Sequence, residues 1–163
     1  MDAVADYDNG GSWAFPERGA RDDMTMTGHC LCGAVRYHVD TEPTITANCH
    51  CTDCQRQTGS AFSILVAVPR EALHIEGELA THVTVGTDTE LEVKRQFCPR
   101  CGSPIVSLPD MTPDLAYIKA GTLDNAADLV PEMDVWCDSA QRWVTMDEEA
   151  RGRFPRGVPL VFE

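Results

Sequence analysis

Seven of the eight cysteines of this 163-residue chain fall into three short groups, Cys30-x-Cys32, Cys49-x-Cys51-x-x-Cys54 and Cys98-x-x-Cys101, and Cys137 stands apart. A CxxC turn aims two sulfurs at one point about 2.3 Å from a metal, so this clustering predicts zinc thiolate sites. Disulfides are the competing reading. The start Met-Asp-Ala-Val-Ala-Asp-Tyr-Asp has neither the basic residues nor the apolar stretch of a secretory signal, which predicts a reducing cytoplasm and free thiols.

How seven ligands divide decides the chemistry. Four cysteines close a zinc site and make it structural, whereas three leave a position for water or substrate. Cys98-Pro99-Arg100-Cys101-Gly102 reads as a zinc knuckle, with Gly102 supplying a positive φ. The alternation from His29 to Val39 predicts a strand that projects Cys30 and Cys32 from one face, and these two complete the knuckle's set. Cys49, Cys51 and Cys54 can then bring three thiolates to a second zinc with its fourth position open. Such an ion can bind a thiol, hold it as thiolate beside an electrophilic carbon, or receive a thiolate leaving group. A water attacking a carbonyl or imine is the other use of the open position, disfavoured because three anionic sulfurs weaken the Lewis acid.

Around this second site, His50 lies between two ligands and is named as an acid–base candidate, with packing or ligand support as its alternative role. Asp53 and Arg56 flank Cys54 and either steady its turn or grip an anionic substrate; Arg56 is the candidate contact for a thiol substrate, with Arg100 a second cation. Cys137 reads as a small apolar residue at the end of a strand from Met133, and Trp136 and Trp143 as core aromatics or pocket walls. His29, His38, His74 and His82 show no ligand spacing and read as surface or strand residues.

The elements that must position these residues are mostly strands. Ala61 to Val68, Thr81 to Val85, Leu91 to Phe97, Ile105 to Leu108 and Leu115 to Lys119 predict a mainly antiparallel sheet, with short helical turns at Ala126 to Leu129 and Asp147 to Arg151. Residues 1–27 form an acidic amino-terminal extension with six acidic and two basic residues, where Trp13 and Phe15 could anchor on the domain or a neighbouring subunit; residues 28–163 form one zinc-binding domain. The longest apolar run, Ala61 to Val68, is far short of the roughly 20 residues that span a bilayer, so no membrane segment is expected. A net charge of −13 repels phosphate backbones and argues against a nucleic-acid partner.

Three ordered motifs, Gly28-His29-Cys30-Leu31-Cys32-Gly33-Ala34-Val35-Arg36-Tyr37, Cys49-His50-Cys51-Thr52-Asp53-Cys54-Gln55-Arg56-Gln57-Thr58-Gly59 and Phe97-Cys98-Pro99-Arg100-Cys101-Gly102-Ser103-Pro104, closely resemble the glutathione-dependent formaldehyde-activating enzyme (GFA / centromere protein V) family. Weaker similarity runs through Glu76-Gly77-Glu78, Ala120 to Asp124, Val135-Trp136 and Trp143. The resemblance implies a mainly β, β-tent (Mss4-like) fold of zinc-pinned antiparallel sheets with little helix. It implies two zinc ions per chain: a structural one on Cys30, Cys32, Cys98 and Cys101 and a catalytic one on Cys49, Cys51 and Cys54. It further implies a carbon–sulfur lyase that joins glutathione to formaldehyde, with a small-molecule thiol, aldehyde or imine as partner. The alternatives are a zinc–water hydrolase that needs no glutathione and a non-catalytic zinc-binding module, such as the chromosome-associated relative suggests. A homodimer is left open.

Overall fold

The computed structural model describes residues 26–86, 89–146 and 152–158. The acidic extension through residue 25, with Trp13 and Phe15, and the turn expected at Asp147 to Arg151 lie outside the described residues. Eleven strands in two sheets, with one short helix, make up the described chain. The sheets divide the cysteine groups between them.

The smaller sheet has three antiparallel strands in the order β1 (Met26–His29), β2 (Arg36–Val39) and β5 (Leu73–Glu76). The larger has eight: β11 (Gly152–Arg153), β10 (Met133–Val135), β3 (Ile45–Cys49), β4 (Ser63–Pro69), β9 (Leu115–Lys119), β8 (Pro104–Pro109), β7 (Glu92–Phe97) and β6 (Ala80–Val85). From β3 to β6 successive strands pair antiparallel, and β10 pairs in parallel with both β3 and β11, so the sheet is mixed at one end.

The five runs read as strands correspond to β4, β6, β7, β8 and β9. Val66, Ala67 and Val68 are all fully buried, which is why β4 is continuously apolar: it lies mid-sheet and is covered on both faces. The polar residues of β6 belong to a strand at the sheet's edge. Strands β1, β3, β5 and β11 escape the sequence reading, because each is five residues or shorter and offers little apolar alternation.

The inner face of the small sheet, Tyr37 and Val39 among others, packs on Val66, Val68, Val106 and Ile118 of the large sheet to form the main core. Ala47, Met133 and Val135 build a second core at the β3–β10 end, with Leu65, Trp136 and Phe154 packed on it. Cys30 and Cys98 belong to the first core, Cys49 and Cys54 to the second. Both cysteine groups therefore start from rigid, dry ground. Among the described residues no helix is long and apolar enough to cross a membrane.

Two local readings are corrected. The strand expected from His29 to Val39 breaks after His29: Cys30 to Val35 is a tight turn, closed by Gly33 N–H donating to Cys30 O at 2.9 Å and Cys30 N–H donating to Val35 O at 3.0 Å. The Cys98 turn repeats the pattern, with Gly102 N–H on Cys98 O at 2.9 Å and Cys98 N–H on Ser103 O at 3.0 Å. Gly33 and Gly102 both take left-handed φ values, 72° and 76°, so Gly33 is to the first turn what Gly102 is to the second. The CxCxxC run opens the helix α1 (Thr52–Thr58). The strand through Cys137 stops at Val135, because Trp136 adopts φ 55°, ψ 44° and turns the chain.

Candidate functional site

The two knuckle-like turns meet. Cys32 Sγ lies 3.5 Å from Cys30 Sγ and 3.8 Å from Cys98 Sγ, and the sulfurs of Cys30, Cys32, Cys98 and Cys101 all lie within 4.8 Å of one another. Four sulfurs set tetrahedrally at zinc distance are about 3.8 Å apart, so this group fits a closed zinc thiolate centre. Ser103 binds the turns together: its hydroxyl accepts from Leu31 N–H at 3.0 Å and lies 3.2 Å from Cys101 Sγ. That hydroxyl, with the Ser103 backbone N–H, holds the Cys101 thiol down at about 5. Cys101 is thus prepared as an anionic ligand.

Cys49, Cys51 and Cys54 form the second group, again within 4.8 Å. Cys49 ends β3, and Cys51 caps α1 by accepting from Cys54 N–H at 3.3 Å. This cap turns Cys54, at the third position of the helix, back toward the other two sulfurs. Their protons are held unequally. Hydrogen bonds from Cys49 and Cys51, and then the charges of Lys119 and Arg95, keep the Cys54 thiol well below its ordinary range. Donation to Cys51 and Cys54, together with burial, pushes the Cys49 thiol well above it. A trio with one ready thiolate and two protons to give up suits a cation that displaces them.

Cys137 does not join either group. It is partly buried, and its thiol donates to Asp134 O at 3.4 Å.

The flanking residues divide sharply. His50 is buried to 1%, with Nε2 at 2.9 Å from Asp134 Oδ1 and its ring tilted on Phe62 at 5.2 Å. Asp134 Oδ1 also accepts from Asn48 Nδ2 at 3.0 Å. His50 thus has almost no exposed surface and is packed between Asp134 and Phe62. Around it, Gln55 Nε2 donates to His50 O at 2.6 Å and Ser139 O at 2.9 Å, and Ser139 Oγ donates to His50 O at 3.0 Å. The segment after β10 is thereby stitched to the cysteine loop.

Two cations that the spacing did not single out flank the same loop. Lys119 of β9 is 4% exposed and donates to Ser63 Oγ at 3.3 Å. Burial pulls its ammonium down, and the charge of Cys54 pushes back. Arg95 of β7 is 7% exposed; it donates to Thr84 Oγ1 at 3.0 Å and Gln57 Oε1 at 2.9 Å, and lies 3.6 Å from Asp53 Oδ2. Asp53 therefore pairs with Arg95, which ties α1 to the sheet.

Arg56 lines a cleft of about 360 Å³ together with Asp53, Gln57, His82, Arg95 and Phe97. The cleft reaches Gly102 and Pro104 of the other cysteine turn. Arg100 stands exposed on that turn and is not part of the lining. Trp136 packs on the second core, and Trp143 is 74% exposed, so neither walls this cleft. A charge buried in a strand leaves no spacing signal, and for that reason Lys119 and Arg95 were invisible from sequence. The one available clue was a lysine ending the apolar strand Leu115–Lys119.

Comparison with known proteins finds relatives of this chain. The sequence model of the family described as "Glutathione-dependent formaldehyde-activating enzyme" matches residues 25–139. A protein of Halomonas elongata, named as a candidate glutathione-dependent formaldehyde-activating enzyme, is 26% identical over 141 residues, which cover 83% of this chain and 90% of that protein. A Penicillium rubens protein named in the same way is 33% identical over 75 residues, covering 45% of this chain and 38% of its own length. A crystal structure of a Rhodobacter sphaeroides protein superposes with a TM-score of 0.52 at 24% identity, over 65% of this chain and 98% of the other, a likeness of fold.

Proposed function

The chain belongs to the glutathione-dependent formaldehyde-activating enzyme family, and from that premise we propose that it is a zinc-dependent enzyme of carbon–sulfur lyase type that works on a small thiol and an aldehyde at Cys49, Cys51 and Cys54. The observation that carries the reading is a group of three cysteine sulfurs within ligand distance of one another, against four in the other group. We assign the four-cysteine group, Cys30, Cys32, Cys98 and Cys101, to a structural zinc and the three-cysteine group to a catalytic one. When bound at the latter, zinc supplies a positive centre that favours the ionised form of a thiol at its open position.

This chain's own residues do the rest. Lys119 and Arg95 favour the thiolate of Cys54, and through it the net negative three-sulfur set that must form at neutral pH. The hydrogen bonds that His50 and Asn48 each make to Asp134 hold the loop that carries Cys49 and Cys51, so His50 acts in this reading as a positioning residue. Arg56, on the wall of the cleft beside α1, offers its guanidinium to a carboxylate of an anionic thiol such as glutathione. A chain of net charge −13 needs such a local cation to hold an anionic substrate. We assign the chain to a reducing, cytoplasmic setting, in which such thiols stay available to metal.

The test is Cys51→Ser, with turnover of formaldehyde and glutathione measured beside the circular dichroism of the zinc-loaded protein. Lost turnover with an unchanged spectrum supports the reading, and full turnover in that variant overturns it. Turnover by the parent chain that continues with no thiol present would select hydrolysis instead.

A further inference from the structure

The small sheet carries a third group of ligand-type side chains on its outer face: His38, Asp40 and His74. His38 of β2 and His74 of β5 are directly opposed in the antiparallel register, and their rings stack with centroids 4.7 Å apart and planes 23° apart. Tyr37 and Val39 point into the core, so His38 and, two residues on, Asp40 return to the outer face. Asp40 N–H donates to Ala72 O at 3.1 Å, which prolongs the β2–β5 pairing by one step and places the carboxylate beside both rings.

Both imidazoles turn the same atom to that carboxylate. His74 Nε2 lies 2.8 Å from Asp40 Oδ2 and His38 Nε2 lies 3.7 Å from Oδ1, the second too long for a hydrogen bond. The ligand atoms of the three residues lie within 4.8 Å of one another. Donors held at about 2.1 Å around one tetrahedral ion are roughly 3.4 Å apart, so small side-chain rotations bring all three to a common centre. The backbone already holds them: two are locked by strand pairing and the third by the bond to Ala72.

We propose that His38, Asp40 and His74 form a further metal site, independent of both cysteine groups, for a divalent cation of the zinc, cobalt or nickel type. Two imidazole nitrogens and one carboxylate oxygen suit these borderline ions rather than calcium or magnesium, which prefer all-oxygen shells. The three side chains are about half exposed, so water completes the coordination and exchange with bulk solvent is open. A net charge of −13 draws cations to the surface. The site also has a place in the fold. His38 and Asp40 precede, and His74 follows, the excursion through β3, α1 and β4 that contains Cys49, Cys51 and Cys54. A bound ion clips the base of that excursion.

Cobalt titration of the full chain, loaded with two zinc ions per chain for the cysteine groups and dialysed free of excess zinc, tests the site, read by equilibrium dialysis and by absorption. The expected result is one cobalt per chain taken up with zinc content unchanged and without the sulfur-to-cobalt charge-transfer band that cysteine ligation produces. His74→Ala and Asp40→Asn each weaken that uptake at least about tenfold, with circular dichroism unchanged because all three residues sit at the surface. No additional cobalt, cobalt that enters only with the sulfur band, or uptake undiminished in a His38→Ala/His74→Ala chain would overturn the proposal.

Discussion

Lys119 illustrates what single residues contribute here. A lysine almost never enters a core unless something there needs its charge, and Lys119 is 4% exposed beside the cysteine loop. Its charge and that of Arg95 favour the Cys54 thiolate, so removing the charge should raise that thiol's pKa and weaken metal binding. Lys119→Met is expected to lower zinc retention at the three-cysteine group about tenfold while leaving the four-cysteine ion in place, as measured by stepwise competition with a chromogenic chelator. Ser103 plays the corresponding part at the other group. The Cys101 thiol is lowered from 9.0 to about 5, so its thiolate form favours the folded chain fully above its ordinary value, and that contribution is lost as pH falls through about 5. Zinc should therefore stay bound at neutral pH and leave as acid protonates the four thiolates, with metal analysis after dialysis as the check. Ser103→Ala should move the release to higher pH.

The elements matter because they make short motifs rigid. Helix α1 has only seven residues, too few to be stable alone. It is fastened at both ends: the Cys51 sulfur accepts at its start, and Gly59 N–H donates to Gln55 O at 2.8 Å at its end. Gln55 then reaches out to His50 O and Ser139 O, so α1, the cysteine loop and the segment after β10 move as one body. Gln55→Ala removes both bonds and is expected to cost about 2 kcal/mol, seen as a lowered midpoint in thermal unfolding. The KM for the thiol should rise as well, because Arg56 and Gln57 ride on the same helix.

At the scale of the whole molecule, the two cysteine groups differ in what they join. The four-cysteine group links a turn between β1 and β2 of the small sheet to a turn between β7 and β8 of the large one. The three-cysteine group lies within one continuous stretch, Cys49 to Cys54. Zinc at the first therefore crosslinks the two sheets across the main core, whereas zinc at the second braces a local loop. Chelation should proceed in two stages. The first ion leaves with the circular dichroism unchanged and turnover gone; the second leaves only with cooperative unfolding. Recording metal release and ellipticity on the same sample checks the order, and simultaneous loss of both ions with the fold would contradict it.

Much of this was written locally. The cysteine spacing marked the ligand-type residues, the apolar runs marked five strands of the large sheet, and Gly102 marked a turn, because each of these depends on neighbours only a few residues away. Other features depended on contacts between distant segments. The alternation from His29 to Val39 looks like one strand, yet Gly33 breaks it so that Cys32 can meet Cys98, a partner 66 residues on. His50 resembles an acid–base group by its position between ligands, and its buried partner Asp134 comes from a strand paired in parallel 84 residues on. Lys119 and Arg95 come to the cysteine loop through the order β3–β4–β9–β8–β7, which no local pattern specifies. His38 and His74 have no ligand spacing along the chain and become neighbours only through the β2–β5 register. Sequence alone thus determined which chemistry the chain can carry, since residue type and short spacing are enough to recognise thiolate ligands. Only the tertiary structure decided which charges and ligands share a site, since strand order and register set those distances.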